Sequence, residues 1–66
     1  MKNRIKIERA ECDITQQQLA EAVGVSRQTI VAIERGHFLP STPLALKIAR
    51  YFRKPVEDIF ILEEND

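Results

Sequence analysis

The 66-residue sequence predicts a compact all-α domain of five short helices. Apolar residues recur at helical spacing through most of the chain, and no useful stretch alternates as a half-buried strand does. The chain holds only 2 Gly and 3 Pro, placed where helices would end or begin. A chain of this length forms one domain, which we expect to span residues 1–62 and to be followed by an acidic tail at residues 63–66.

The first helix is predicted to run from about Asn3 to Cys12. Cys12 lies on the same side of this helix as Ile5, which favours a small buried apolar role for Cys12 over that of a redox-sensing thiol. A single cysteine excludes an internal disulfide and offers no zinc cluster, so we expect no metal and no cofactor.

The second and third helices are separated by a very short turn. The segment "TQQQLAEAVG" begins with Thr15, a good N-cap, and ends at Gly24, a natural left-handed stop. Ser26 then caps a third helix that ends at Gly36. Two short helices joined through so tight a glycine turn must cross at a steep angle.

The fourth and fifth helices follow a loop, "HFLPST", in which Ser41 is the next N-cap. Pro43 fits the first turn of the fourth helix, where its missing N–H costs nothing. Pro55 forbids continuation of that helix and starts the fifth, "PVEDIF", with acidic residues at the positive end of its dipole. Residues after Phe60 could pair as a short strand, with the N-terminus as one candidate partner.

The charge is distributed unevenly although the formal net charge is zero. Residues 1–54 hold all ten Lys and Arg and five acids, a balance of +5, and residues 55–66 hold five acids and no base, a balance of −5. The basic body leaves room for a polyanionic partner. No apolar run is long enough for a membrane span or a signal peptide, so we expect a cytoplasmic protein without a membrane partner.

The third helix carries more apolar residues than one buried face needs. At about 100° per residue, Arg27, Gln28, Val31 and Ala32 share the side opposite its two isoleucines. One interpretation is that Val31 and Ala32 pack under another helix. The other, which we favour, is that this side enters a DNA major groove, which needs hydrogen-bonding groups and apolar contacts together.

The segments "TQQQLAEAVGVSRQTIVAIERG", "PSTPLALKIARYF" and "VEDIF" resemble the Cro/repressor-type (XRE) helix-turn-helix family of bacterial, archaeal and phage regulators. The similarity spans nearly the whole chain and is strongest to small stand-alone members. It implies a lambda-repressor-like fold that binds double-stranded DNA in a sequence-specific way through the third helix in the major groove. It also implies transcription regulation, for which repression at a near-palindromic operator is the expected form.

The resemblance assigns roles to individual residues. Arg27 and Gln28 would hydrogen-bond guanine and adenine, and Val31 and Ala32 would contact thymine methyl groups. The expected phosphate-binding residues are Thr15, Gln16, Gln17, Ser26 and His37. Gln18 is expected to be an inert solvated residue. Arg9 and Glu34 would form a shielded ion pair between the first and third helices.

Three residues depart from the family pattern. Arg53 stands where relatives usually have glycine, Pro55 replaces the usual serine cap, and Glu8 occupies a position that is apolar in many relatives. A left-handed arginine is disfavoured. These departures leave open the boundaries of helices four and five and part of the packing of helix one.

A single helix-turn-helix covers few base pairs, so we expect a symmetric homodimer. The expected interface residues are Val56, Ile59, Ile61 and Leu62. The alternative is that Val56, Ile59 and Phe60 close the monomer core; in our interpretation both hold, with Ile59 and Phe60 inward.

An enzyme is not expected, because one His, one Cys and no Gly-rich phosphate loop offer no catalytic site, and no small-molecule ligand is evident. The alternative to a DNA-binding regulator is an antitoxin or a protein-interaction adapter on the same fold. Substitution of Arg27 and Gln28 and the salt dependence of binding discriminate between the two.

Overall fold

A computed structural model describes all 66 residues and contains five helices. The helices are α1 (Ile5–Cys12), α2 (Gln16–Val23), α3 (Arg27–Glu34), α4 (Thr42–Phe52) and α5 (Val56–Ile59). Strands β1 (Lys2–Asn3) and β2 (Phe60–Ile61) pair in an antiparallel register, Lys2 opposite Ile61 and Asn3 opposite Phe60. The all-α class with a short C-terminal strand is confirmed, and the strand pairs with the N-terminus.

The first helix begins later than predicted. Lys2 and Asn3 are drawn into the sheet, and the Arg4 N–H continues the pairing with a 2.8 Å bond to the Ile59 carbonyl. The helix therefore starts at Ile5 rather than near Asn3.

The predicted N-caps are confirmed, because each side chain accepts a backbone N–H of the first helical turn. Thr15, Ser26 and Ser41 accept these bonds at 3.0, 3.3 and 3.3 Å. Gln18 is not an inert solvated residue as we expected, since its side-chain oxygen accepts the Thr15 N–H at 2.8 Å. Thr15 and Gln18 together form a capping box, which is worth about 1 kcal/mol at a helix start.

Two non-glycine residues at helix ends adopt a left-handed conformation, Asp13 after α1 and Arg53 after α4. Gly24 adopts a left-handed φ of 77°, as predicted. Arg53 adopts φ 57° at the end of α4, although an arginine pays about 1 kcal/mol there. The Arg53 N–H donates to the Arg50 carbonyl and the Lys54 N–H to the Ala49 carbonyl, both at 3.1 Å, and these bonds close the helix end. The departure from glycine thus leaves the boundary of α4 unchanged.

The core lies between α2, α3, α4 and α5, with α1 laid across it. Its members are all apolar: Ile5, Leu19, Ala20, Val23, Ile30, Ile33, Leu44, Ile48, Ala49, Phe52, Ile59 and Phe60. Every helix contributes at least one, so no helix is dispensable to the packing. No helix is long and apolar enough to cross a membrane.

Two residues of α1 differ from expectation. Cys12 is exposed, so the prediction of a small buried residue was wrong; it is the last residue of α1, just before the left-handed Asp13 turns the chain away. Glu8 is 2% exposed and is the one charged residue in the buried set. Its carboxylate accepts a 2.9 Å bond from Lys54 Nζ and lies 3.9 Å from Arg4 Nε. The bond to Glu8 raises the pKa of Lys54.

Candidate nucleic-acid interface

The turn between α2 and α3 fixes the angle at which α3 is presented. The Val25 N–H bonds to the Ala20 carbonyl at 3.0 Å, and Val25 itself packs against the core. Gly24 makes the reversal possible with its positive φ, and Ser26 starts α3 immediately afterwards. The two helices therefore form one rigid unit joined by three residues.

The side of α3 that faces away from the core is the predicted base-reading side. Ile30 and Ile33 are buried, whereas Arg27 and Gln28 are exposed. Arg27 and Gln28 belong to one open depression on this side of the helix. The residues that line it are Arg27, Gln28, Val31, Ala32, Arg35 and His37. We call this surface the α3 face.

Val31 and Ala32 are half-buried, but they are not among the residues packed against the core. The interpretation in which another helix covers them therefore finds no support in the structure. Their side chains lie in the same depression as the polar groups of Arg27 and Gln28. The α3 face thus offers hydrogen-bonding and apolar groups side by side, as a major-groove reader requires.

The first turn of α2 presents donors to solvent. The backbone N–H groups of Gln16 and Gln17 donate to no acceptor in the chain, since the Thr15 cap takes the N–H of the third position. Thr15 and Gln17 are exposed, and Gln17 donates to Glu21 at 3.3 Å. Free N–H groups and amide side chains at a helix N-terminus are suited to an anion such as a DNA phosphate.

The remaining predicted phosphate-binding residues lie at the two ends of the α3 face. Ser26 is exposed at the start of α3, where its hydroxyl is already engaged as the cap and with the Thr29 hydroxyl at 3.0 Å. His37 is exposed just after the helix and lines the depression. Arg35, which was not among the predicted phosphate-binding residues, lines it as well.

Arg9 and Glu34 form the expected contact between α1 and α3. Arg9 Nε lies 2.7 Å from Glu34 Oε2 and Arg9 Nη2 lies 3.0 Å from Oε1, with side chains 14% and 7% exposed. Arg9 also donates to the Ile14 carbonyl at 3.1 Å. The hydrogen bonds to Glu34 raise the pKa of Arg9. This bidentate pair therefore ties α1, the start of α2 and the end of α3 together.

A sequence profile of the helix-turn-helix family matches residues 5–59 of this chain. The chain belongs to the helix-turn-helix family. It is 53% identical over 66 residues to an uncharacterised HTH-type transcriptional regulator of Methanocaldococcus jannaschii, and the similarity covers the whole of both chains. It is also 50% identical over 66 residues to the uncharacterised HTH-type transcriptional regulator YgzD of Bacillus subtilis, again over both whole chains.

A more distant helix-turn-helix relative is the transcriptional repressor RstR of the cryptic phage CTXphi from Vibrio cholerae. The two sequences are 28% identical over 57 residues, which cover 86% of this chain and 51% of RstR.

The predicted interface residues of this helix-turn-helix chain are divided between its core and its surface. Ile59 is fully buried and packs inside its own monomer, in agreement with the interpretation that turned it inward, so it is not available to an interface. Ile61 and Leu62 are exposed, at 40% and 77%. Val56 is half-buried and packs partly against the core.

An apolar groove of about 310 Å³ lies beside Val56. Its apolar lining consists of Met1, Pro40, Ala45, Leu46, Val56 and Phe60. Leu46 is 52% exposed and Leu39, in the neighbouring loop, is 64% exposed. Neither residue was predicted from the sequence to belong to an interface. Leu46 could have been found, because it stands two residues after Leu44 and so lies off the buried stripe of α4.

Proposed function

We propose that this protein is a transcription regulator that reads double-stranded DNA by inserting α3 into the major groove. The α3 face carries the proposal, because it places Arg27 and Gln28 beside Val31 and Ala32 on one uncovered side of a helix. Bidentate donors and apolar groups together distinguish base pairs in the major groove. Family membership and the names of the relatives support the same function.

The first turn of α2 positions the protein on the DNA backbone in this proposal. Gln16 and Gln17 would bind a phosphate through their free N–H groups, with Thr15 beside them. Ser26 and His37, with Arg35, would contact phosphates at the edges of the groove. Contacts of this kind fix register and affinity without reading sequence.

We further propose that the protein acts as a homodimer at a near-palindromic operator, in the cytoplasm and without enzymatic activity. The apolar groove supplies the surface for a second copy, and Ile61 and Leu62 are further exposed apolar residues available to an interface. The loop between α3, which ends at Glu34, and α4 reaches this groove at Pro40. Joining two copies there would bring their α3 helices to the same side of the assembly, about 34 Å apart on DNA.

Repression is the mode of regulation that we propose. A protein bound to an operator through the α3 face would exclude other proteins from the same stretch of DNA. The printed name of RstR, a transcriptional repressor, supports this choice.

The proposal is tested by selecting bound duplexes from a randomised DNA pool at two salt concentrations. We expect an inverted repeat to be enriched, and we expect binding to weaken with salt as phosphate contacts release counterions. Arg27→Ala should relax the preference at a guanine and weaken binding about tenfold or more. Arg50→Ala is the matched control, since it removes an exposed arginine of α4 that does not line the α3 face.

Three outcomes would contradict the proposal. Equal loss in Arg27→Ala and Arg50→Ala would mean that binding is diffuse and that α3 does not read bases. Enrichment of a sequence without two-fold symmetry would contradict the dimer. Absence of any enrichment, with weak binding at low salt, would favour an antitoxin or adapter that binds a protein.

A further inference from the structure

Gln16 carries a hydrogen bond that a free phosphate-binding side chain would not need. Its Nε2 donates to Glu34 Oε1 at 3.3 Å, across from the first turn of α2 to the last turn of α3. Oε1 accepts from Arg9 as well, so Gln16 joins a carboxylate that is already held by a bidentate arginine. Gln16 is half-buried, whereas its neighbour Gln17 is exposed and bonds to Glu21 of its own helix.

The carboxylate of Glu34 is a fixed point in the structure. It is 7% exposed, and Arg9 holds both of its oxygens while reaching the Ile14 carbonyl, just before the α2 cap. Glu34 therefore sets the start of α2 by two routes, through Arg9 to the backbone and directly to the Gln16 side chain. A side-chain amide has two N–H groups, and this bond uses one of them.

We propose that Glu34 is a positioning residue for DNA binding: it holds the Gln16 amide so that the second N–H points outward to a DNA phosphate. The inference rests on the proposed function. A glutamine side chain loses rotamer freedom when it binds a phosphate, and a side chain already held by Glu34 has lost part of it beforehand. The acid raises affinity for a polyanion even though its own charge repels one.

The change in DNA affinity that we expect on replacing Glu34 is opposite to the change that charge repulsion alone would cause. Removing an acidic residue near the DNA backbone would tighten binding if charge repulsion were its only effect. If Glu34 positions Gln16, replacing Glu34 weakens binding, and it does so more strongly while Gln16 is present.

A double-mutant cycle tests the coupling between the two residues. The affinity of wild type, Gln16→Ala, Glu34→Gln and the double variant for a labelled 20-base-pair duplex is measured by fluorescence anisotropy at low salt. Gln16→Ala should weaken binding about tenfold, as loss of a hydrogen bond to a charged group does. Glu34→Gln should weaken binding about threefold more in the wild-type background than when Gln16 is absent.

The chain offers a matched control in Gln17, which lies beside Gln16 but bonds to Glu21. Gln17→Ala and Glu34→Gln should act independently on affinity. Glu34→Asp is a second variant for the case that Glu34→Gln does not fold. It keeps the charge for Arg9 but withdraws the carboxylate from Gln16 by about one C–C bond, about 1.5 Å.

The outcomes separate the inference from the function on which it rests. Equal weakening by Glu34→Gln with and without Gln16 would show a purely structural role and overturn the inference alone. Tighter binding by the Glu34 variants would do the same in favour of charge repulsion. If wild type binds no duplex at low salt, both the proposed function and the inference fail.

Discussion

Glu8 and Lys54 form an ion pair whose two members lie in very different surroundings, so removing one is not equivalent to removing the other. The Glu8 side chain is 3% exposed, whereas the Lys54 side chain is 41% exposed. Lys54→Met and Glu8→Leu each delete one charge and keep most of the side-chain volume. We expect the first to destabilise the fold and the second to leave it nearly unchanged.

The expected magnitudes follow from what each variant leaves behind. Lys54→Met leaves a buried carboxylate whose remaining cationic neighbour is Arg4 Nε at 3.9 Å. Removing one partner of a fully buried ion pair costs about 3–5 kcal/mol. We expect about 2 kcal/mol here, because Lys54 is partly exposed and water can reach the Glu8 carboxylate in its place. Glu8→Leu leaves an ammonium group in solvent, 3.8 Å from Glu11, and keeps helix propensity. Its effect should lie within about 1 kcal/mol of zero.

Urea and thermal unfolding, followed by far-UV circular dichroism, measure the difference. All variants are compared at one protein concentration, because the stability of the proposed dimer would depend on concentration. For a domain of this size, Lys54→Met should lower Tm by about 8–16 °C. Lys47→Met is the matched control: Lys47 is an exposed lysine of α4 that takes part in no ion pair. Greater destabilisation by Glu8→Leu than by Lys54→Met would refute the reasoning.

Three further substitutions test the cap, the second ion pair and the apolar groove. Thr15→Ala should lower the free energy of unfolding by about 1 kcal/mol, because it removes the capping oxygen of α2; an unchanged urea midpoint would show that water replaces the cap. Arg9→Met should lower it by about 3 kcal/mol, because Glu34 stays buried without either guanidinium bond; a loss below about 1 kcal/mol would contradict this value. Leu46→Glu should convert the proposed dimer to a monomer in sedimentation at unchanged helical signal, since Leu46 is 52% exposed in the monomer. Survival of the dimer would place its interface elsewhere.

The features that sequence predicted correctly depend on residues close together in the chain. Thr15, Ser26 and Ser41 cap the helices because a hydroxyl three positions before a backbone N–H reaches it without help from the rest of the fold. Gly24 ends α2 for the same local reason. The side of α3 that faces outward also follows from helical periodicity alone.

The features that sequence missed depend on residues far apart. The charge of Glu8 is balanced by Lys54, which lies 46 positions away, and no local sequence pattern predicts that contact. The bond between Gln16 and Glu34 spans 18 positions and needs the crossing of α2 and α3 before it exists. Ile59 could not be divided between core and interface, because both locations favour an aliphatic residue.

The pairing of β1 with β2 bears on the order in which the chain can fold. Lys2 and Ile61 are strand partners although they lie 59 positions apart in the chain. Each of the two strands is only two residues long. Closing a loop of that length costs about 3–4 kcal/mol of entropy, more than so short a ladder returns. The strands can therefore pair only after α1 and α5, which carry the buried Ile5 and Ile59, have packed against the other helices. The sheet therefore forms late in folding, after the helices have packed, and does not nucleate the fold.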